Sequence, residues 1–340
     1  MKKVGWQSPS NIALIKYWGK HGNQLPANPS ISFTLSTSIT ETYLSWEQAS
    51  SNGGQIEVLL DGKSAPDFLP KIEQFFSRVS AYLPYFNEYN YRIETRNSFP
   101  HSSGIASSAS GMSALALCAL SMRDTLGIKS GDFFREASFL ARLGSGSAGR
   151  SIYGPLAIWG KHDHTEGSSD EFAIPYKNVD PVFTSFQDYI LLVDKGVKRV
   201  SSSAGHGLMN GHPFAKERFQ QAHTNLDELK GYLRNADLEK FGEVVESEAL
   251  TLHAMMMTSR PYYLLFKPNT IAIIEAIWQF RQETKIPAYF TLDAGANVHL
   301  LFPESDKQKV DGFVKSTLSA YCHKGEYLCD QVGNGPKQLN

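Results

Sequence analysis

The spacing of apolar and polar residues changes period several times along this chain, and each change marks an element. After a turn at 26–29, residues 30–38 alternate with the two-residue period of a strand. Residues 40–47 and 55–60 carry the same signature, with Ser51-Asn52-Gly53-Gly54 placed as a hairpin turn. A helical period follows over 67–83, then a strand over 89–97 that leads into a serine-rich stretch, Asn97-Ser98-Phe99-Pro100-His101-Ser102-Ser103-Gly104-Ile105-Ala106-Ser107-Ser108-Ala109-Ser110-Gly111. Behind it, small apolar residues without proline predict a buried helix that stops at Gly127. A second helix over 132–143, stopped by Gly144, opens onto Gly144-Ser145-Gly146-Ser147-Ala148-Gly149-Arg150-Ser151, and 152–159 reads as a strand. The pattern restarts near Asp180-Pro181, where a boundary is placed, giving units 1–183 and 184–340. The second unit reads as a strand over 189–194, helices over 213–232, 238–253 and 269–283, a strand over 288–293, a turn at 294–297 and a returning strand over 298–302. Strands cluster before helices rather than alternating with them, so the class is α+β.

The chain has 340 residues with 33 basic and 34 acidic side chains, enough for one large domain or two ordinary ones with a sizeable core. Its net charge of −1 gives no general attraction for nucleic acid or an anionic membrane, so neither partner is expected. The opening Met1–Trp6 segment is basic without an apolar run behind it, and no run approaches the length of a membrane span. The three cysteines, Cys118, Cys322 and Cys329, form no C-x-x-C pair and are expected as reduced thiols in a cytoplasmic protein.

Four places carry candidate chemistry. The serine-rich stretch opening onto a helix offers free backbone N–H groups and a positive dipole end, which bind phosphate. Ser107 and Ser108 could add donors or reach a phosphate-bound magnesium. Its spacing matches neither the Walker nor the dinucleotide fingerprint, and a close-packed, serine-capped helix explains the same residues equally well. In Asn11-Ile12-Ala13-Leu14-Ile15-Lys16-Tyr17-Trp18-Gly19-Lys20, an apolar run ends in two lysines that share a side whether the segment is strand or helix. Lys20 fits a solvated strand end. Lys16 continues the apolar run and so needs a partner. The loop 144–151 ends in an arginine, the natural fork for a carboxylate or phosphate, where the bland alternative is a flexible turn. Asp293, at the end of a buried strand beside a glycine turn, is either a turn cap or a functional acid. His162 and His164 are assigned to a solvated loop because no third metal ligand follows, and His253 with Met255–Met257 to helix-end packing.

These residues resemble a known family. The serine loop is similar to the phosphate-binding motif of the GHMP small-molecule kinases. Within that superfamily, the segments 11–20, 144–151 and Thr291-Leu292-Asp293-Ala294-Gly295-Ala296-Asn297 resemble the diphosphomevalonate decarboxylases. The resemblance implies a two-lobed GHMP kinase fold, with an N-terminal lobe of ribosomal-protein-S5-like type, a C-terminal α/β sandwich lobe and the active site in the cleft between. It implies ATP-dependent phosphorylation of the 3-hydroxyl of mevalonate 5-diphosphate, then loss of phosphate and CO2 to give isopentenyl diphosphate, with ATP and Mg2+ required and a homodimer as the assembly.

Carried over by position, Asp293 lies near the 3-hydroxyl, Lys16 near Asp293 and the transferred phosphate, and Arg150 holds the substrate carboxylate. Tyr17, Trp18, Gly19, Lys20, Ser145, Gly146, Ser147, Ala148, Gly149 and Ser202 line the substrate. Asn97, Ser103, Gly104, Ser107 and Ser108 serve ATP, with Ser107 or Ser108 the possible side-chain ligands of Mg2+. The chain departs from the family pattern at His21 (arginine common), His101-Ser102-Ser103-Gly104-Ile105 (Thr-Ala-Ala-Gly-Leu usual), Gly149 (Cys), Ala296 (Pro) and His206 (Met). These departures leave mevalonate 5-phosphate as an alternative substrate. The rival readings are a GHMP kinase that does not decarboxylate, against which the carboxylate clamp at Arg150 argues, and a non-catalytic sensor, whose loops would be degraded.

Overall fold

In the computed structural model, which describes residues 1–50, 54–99, 107–128, 131–196 and 202–340 (of Ser202 and Ser203 the main chain only), two mixed units pack on one another. The first comprises β1 (Lys2–Ile15), the short hairpin β2 (Lys20–His21) and β3 (Leu25–Pro26), β4 (Ser30–Gln48), β5 (Ile56–Leu60), β6 (Lys63–Ser64), α1 (Leu69–Val79), β7 (Tyr89–Asn97), α2 (Ser107–Thr125), α3 (Phe133–Gly144), β8 (Leu156–Trp159) and β9 (Ala173–Pro175). The second comprises β10 (Gln187–Leu191), α4 (Ser202–Gly207), α5 (Ala215–Asn235), α6 (Leu238–Thr258), α7 (Pro268–Thr284), β11 (Tyr289–Thr291), β12 (Val298–Phe302), α8 (Lys307–Ser316), β13 (Tyr327–Gln331) and β14 (Lys337–Leu339).

The first sheet runs β14-β1-β4-β7-β5-β6, with β8 paired to the start of β4 and β9 to β8. The 30–38 and 40–47 segments, expected as two strands, form one: β4 keeps β1 on one edge, while its other edge is shared by β8 near the start and β7 near the end. Register shifts in β1 between Pro9 and Asn11 and between Ala13 and Ile15 bend the ribbon and re-aim its last residues. β5 and β7 are parallel, with α1 crossing between them, so one βαβ unit sits inside the otherwise antiparallel sheet. α2 is buried nearly all round, as its small apolar residues require, and packs with α1 and α3 on the sheet.

The second sheet, β11-β12-β10-β13, is antiparallel throughout. The two units share a core: Ile12, Leu14, Phe33 and Leu156 of the first pack in one cluster with Ile190, Phe241, Tyr289 and Leu301 of the second. Asp330 closes the seam from below. Its carboxylate accepts the main-chain N–H groups of Ser36, Thr37 and Ser38 at 3.0, 2.8 and 2.7 Å. β14 then returns to pair with β1, so the end of the chain lies on the first sheet. The seam fixes where the end of β1 meets the second unit.

Candidate active site

β1 ends at Ile15, and the chain leaves the sheet as an irregular segment before β2 begins at Lys20. Lys16 and Lys20 therefore do not share a face of one regular element, contrary to both sequence readings. Gly19, at a φ of +95°, makes the turn between them, a conformation open to glycine and costly for other residues.

Lys16 is almost wholly buried, and its Nζ lies 3.2 Å from Asp293 Oδ1 and 2.6 Å from the carbonyl of Ala13. Its main chain is gripped as firmly. The N–H donates to Glu248 Oε2 at 2.8 Å, and the carbonyl accepts from Asn28 Nδ2 at 2.9 Å and from Arg218 at 3.2 Å. Glu248 and Arg218, from α6 and α5, form a completely buried bidentate pair at 2.6 and 2.8 Å, and Asn225 donates to the same carboxylate at 2.6 Å. Burial is the largest influence on Lys16 and lowers its pKa from the ordinary 10.5; Asp293 and then Glu248 oppose it, and Arg150 adds to it.

Asp293 follows β11 by two residues, with its carboxylate partly open to solvent. Its main-chain carbonyl accepts from Gly295 N–H at 2.7 Å and from His253 Nε2 at 3.1 Å. Its main-chain carbonyl takes part in the turn while its carboxylate reaches Lys16. His253 is not simply packing. Its ring stacks on Phe266 at 4.2 Å, and burial holds it neutral, its pKa pushed down to about 4, so its N–H donates to the Asp293 carbonyl.

The 144–151 stretch is no flexible turn. It forms a 3-10 helix over Gly146–Ile152, and Arg150 is buried rather than on the surface. Arg150 Nε donates to Ser32 Oγ at 3.1 Å and Asn11 Oδ1 at 3.3 Å, one terminal nitrogen to Ser30 Oγ at 2.5 Å and the other to Asn11 Oδ1 at 3.3 Å. Asn11 sits at the first bulge of β1 and also donates to Ser151 Oγ and the Ser147 carbonyl. A guanidinium has five N–H groups. Among the described residues these contacts use Nε–H and one hydrogen on each terminal nitrogen, which leaves one N–H on each, a pair that a carboxylate can take. Among the described residues no carboxylate forms an ion pair with Arg150, and Asp293 is the acid whose charge it feels most. Burial pushes its pKa down to about 10, which still leaves it a full cation at neutral pH.

Tyr17 fills the space between Trp159 and His206, at ring separations of 4.7 and 4.2 Å. Its hydroxyl is buried and has no hydrogen-bond partner among the described residues, and a Cβ on Gly146 would come within 2.7 Å of it. A glycine is needed there for close approach rather than for φ. Gly146, Ala148 and Gly149 are buried, whereas Ser145 and Ser147 are partly exposed beside this ring. Trp18 packs on Leu252, Met255 and Met256 of α6 and borders Ala294, next to Asp293. Lys20 is half-buried rather than fully solvated: its Nζ meets Gln24 at 2.9 Å, and burial, then Arg78, lower its pKa.

Ser107 and Ser108 open α2, and Lys71 of α1 bonds Ser108 Oγ. Lys71 lies on the exposed side of α1, and its pKa is lowered by desolvation and then by Lys20, so Lys71, Lys20 and Arg78 put positive charge beside the helix end. Asn97 Oδ1 accepts from Thr40, which in turn contacts Ser110, so Asn97 stands at the foot of α2. Ser103 and Gly104 lie outside the described residues, as does the side chain of Ser202, the first residue of α4. Away from this site His162 is buried and stacked on His223 at 5.3 Å, with His164 on Asp227 at 2.7 Å. The loop is solvated as expected, with His164 exposed, and only His162 packs down onto α5. Among the described residues no cluster of three or more potential metal ligands forms.

The model of the diphosphomevalonate decarboxylase-like N-terminal domain matches residues 8–172, and that of the mevalonate 5-diphosphate decarboxylase C-terminal domain matches residues 189–338. The chain belongs to the diphosphomevalonate decarboxylase family. A diphosphomevalonate decarboxylase of Debaryomyces hansenii is 28% identical over 333 residues, covering 92% of this chain and 82% of its own. A phosphomevalonate decarboxylase of Haloferax volcanii is 27% identical over 309 residues, covering 88% of this chain and 87% of its own. The solved mevalonate diphosphate decarboxylase of Staphylococcus aureus superposes with a TM-score of 0.86 at 28% identity, covering 100% of this chain and 98% of its own. A solved complex of MDDEF with MVAPP, AMPPCP and magnesium gives 0.85 at 28% identity, covering 99% and 98%. The fold is therefore that of the GHMP kinases, two-lobed and α+β.

Proposed function

We infer that the chain catalyses the ATP- and Mg2+-dependent decarboxylation of mevalonate 5-diphosphate to isopentenyl diphosphate. The observation that carries this reading is the group of charges in which Asp293 is paired with Lys16 and is the acid that most influences Arg150, whose remaining N–H edge suits a carboxylate. A plain kinase has no use for that edge.

A tertiary alcohol is a crowded, weak nucleophile, so positioning dominates its phosphorylation. In our reading Asp293 orients the 3-hydroxyl and accepts its proton, while Lys16 neutralises charge between the carboxylate and the incoming phosphoryl group. When the 3-phosphate departs, positive charge grows at that carbon, and the Asp293 carboxylate offsets it. Arg150 orients the substrate carboxylate so that the breaking C–C bond lines up with the departing phosphate. Tight neutralisation of that carboxylate would oppose CO2 loss, so orientation is its contribution.

Tyr17 to Lys20, Ser145 to Gly149 and Ser202 line the substrate. Asn97, Ser103, Gly104, Ser107 and Ser108 take the ATP phosphates, and Lys71 on Ser108 supports that assignment. Bound Mg2+ supplies charge neutralisation to those phosphates, and the hydroxyls of Ser107 and Ser108 at the start of α2 suit an ion carried on phosphate oxygens. We place the enzyme in the cytoplasm as a homodimer; its unpaired cysteines fit a reducing compartment, and exposed Tyr262 and Leu264 offer apolar surface for a second copy.

Release of ADP and of CO2, each measured with mevalonate 5-diphosphate and with mevalonate 5-phosphate, tests the reaction. Both products in equal amounts from the diphosphate support it; ADP alone indicates a kinase, neither a non-catalytic protein, and turnover confined to the monophosphate moves the substrate assignment. The rate profile gives a second check. Activity needs protonated Lys16, whose pKa is lowered from 10.5, so kcat is expected to hold at lower pH and fall on an alkaline limb centred below that value. Lys16→Arg, with a side chain that stays charged, is expected to lose the limb and much of the rate; an unchanged limb would count against Lys16.

A further inference from the structure

His206 stands where the family often has methionine, and its surroundings give it a defined job. The ring lies between Tyr17 and Trp18, at 4.2 and 4.7 Å, and Nδ1 accepts the main-chain N–H of Gly19 at 3.0 Å. A ring nitrogen that accepts from an amide carries no proton. Burial, with Lys20 and Arg150 nearby, keeps the imidazole neutral, its pKa pushed down to about 3, so the one ring proton is on Nε2. Among the described residues Nε2 has no hydrogen-bond partner.

The ring is thus a donor locked in place on both faces and at one edge, within the positive field of Lys20 and Arg150. The carboxylate of the substrate has the paired N–H edge of Arg150, and its remaining anionic part is the phosphoryl tail. We propose that His206 Nε2–H donates a hydrogen bond to a phosphoryl oxygen of the substrate, making His206 a binding residue that methionine, with no donor, cannot replace. This rests on the substrate reading above.

Two substitutions separate this role from support of Gly19. Asparagine can place its oxygen near Nδ1 and so keep an acceptor for Gly19, whereas glutamine can place its amide nitrogen near Nε2 and so keep the donor. Calorimetric binding of mevalonate 5-diphosphate to the full-length enzyme needs no turnover, so a wild type that binds this ligand without releasing ADP and CO2 would refute the proposed reaction and not this contact. His206→Asn is expected to weaken binding about 10-fold or more, the scale of a hydrogen bond to a charged group, and His206→Gln to recover most of the loss. The reverse order would assign the ring to Gly19. Equal weakening by both would assign it to stacking, and no weakening by either would remove it from the site; each of these overturns the proposal.

Discussion

Asp293→Asn is expected to lower kcat about 10^3-fold or more while leaving ATP affinity within a few-fold. The exchange keeps the size of the side chain and removes its charge. Base catalysis and electrostatic stabilisation each contribute roughly 10^2- to 10^4-fold where they act, and here both pass through one carboxylate. The loop itself should survive, because the Asp293 main-chain carbonyl keeps its bonds from Gly295 and His253. Steady-state kinetics with calorimetric ATP binding would check this. Activity within 10-fold of wild type would remove Asp293 from the mechanism, and loss of ATP binding would make its role structural.

The second large effect falls on Glu248. Glu248→Gln leaves Arg218 buried without its counter-charge and weakens the acceptor of the Lys16 N–H. Breaking a buried ion pair from one side costs roughly 3–5 kcal/mol, which in a chain of this size lowers the melting midpoint by roughly 4–7 °C. Replacing both partners by apolar residues, as in Arg218→Met with Glu248→Leu, is expected to recover much of that stability without recovering the rate, since Lys16 would still lack its clamp. Thermal unfolding beside kcat separates the two effects. A Glu248→Gln midpoint within about 1 °C of wild type would show that the pair contributes little, and full activity in the stable double variant would show that the clamp does not position Lys16.

That clamp marks the limit of what the sequence made legible. Lys16 could be singled out because an ammonium continuing an apolar run must find a partner, and Asp293 because a carboxylate at a buried strand end is seldom idle. The partners of the Lys16 main chain could not be found this way. Arg218 and Glu248 lie on amphipathic helices, where a charged residue reads as part of the solvated face, and they meet Lys16 only through contacts more than 200 residues apart, while Asn225 acts through Glu248.

Lys71 gives no signal for the same reason, as one of three charges on α1, where it reads as part of the solvated face. His253 carried no signal, because a buried histidine bonding a carbonyl and one filling a helix end look alike in sequence. The strands over 89–97 and 298–302 emerged at the expected residues, since alternation and turn residues bound them on both sides. β4 did not, because nothing in its own residues records that three partners share its two edges. The loop 144–151 could be singled out by its small residues and arginine but not as a 3-10 helix, in which Arg150 is held by the buried hydroxyls around it.

The central claim concerns where the substrate lies among these three charges, and a crystal structure of the enzyme with mevalonate 5-diphosphate tests it most directly. The account predicts the 3-hydroxyl within hydrogen-bond distance of the Asp293 carboxylate and the substrate carboxylate on the paired N–H edge of Arg150, with Lys16 still bridging to Asp293. A substrate bound with its 3-hydroxyl turned away from Asp293, or with its carboxylate in solvent and Arg150 untouched, would contradict it.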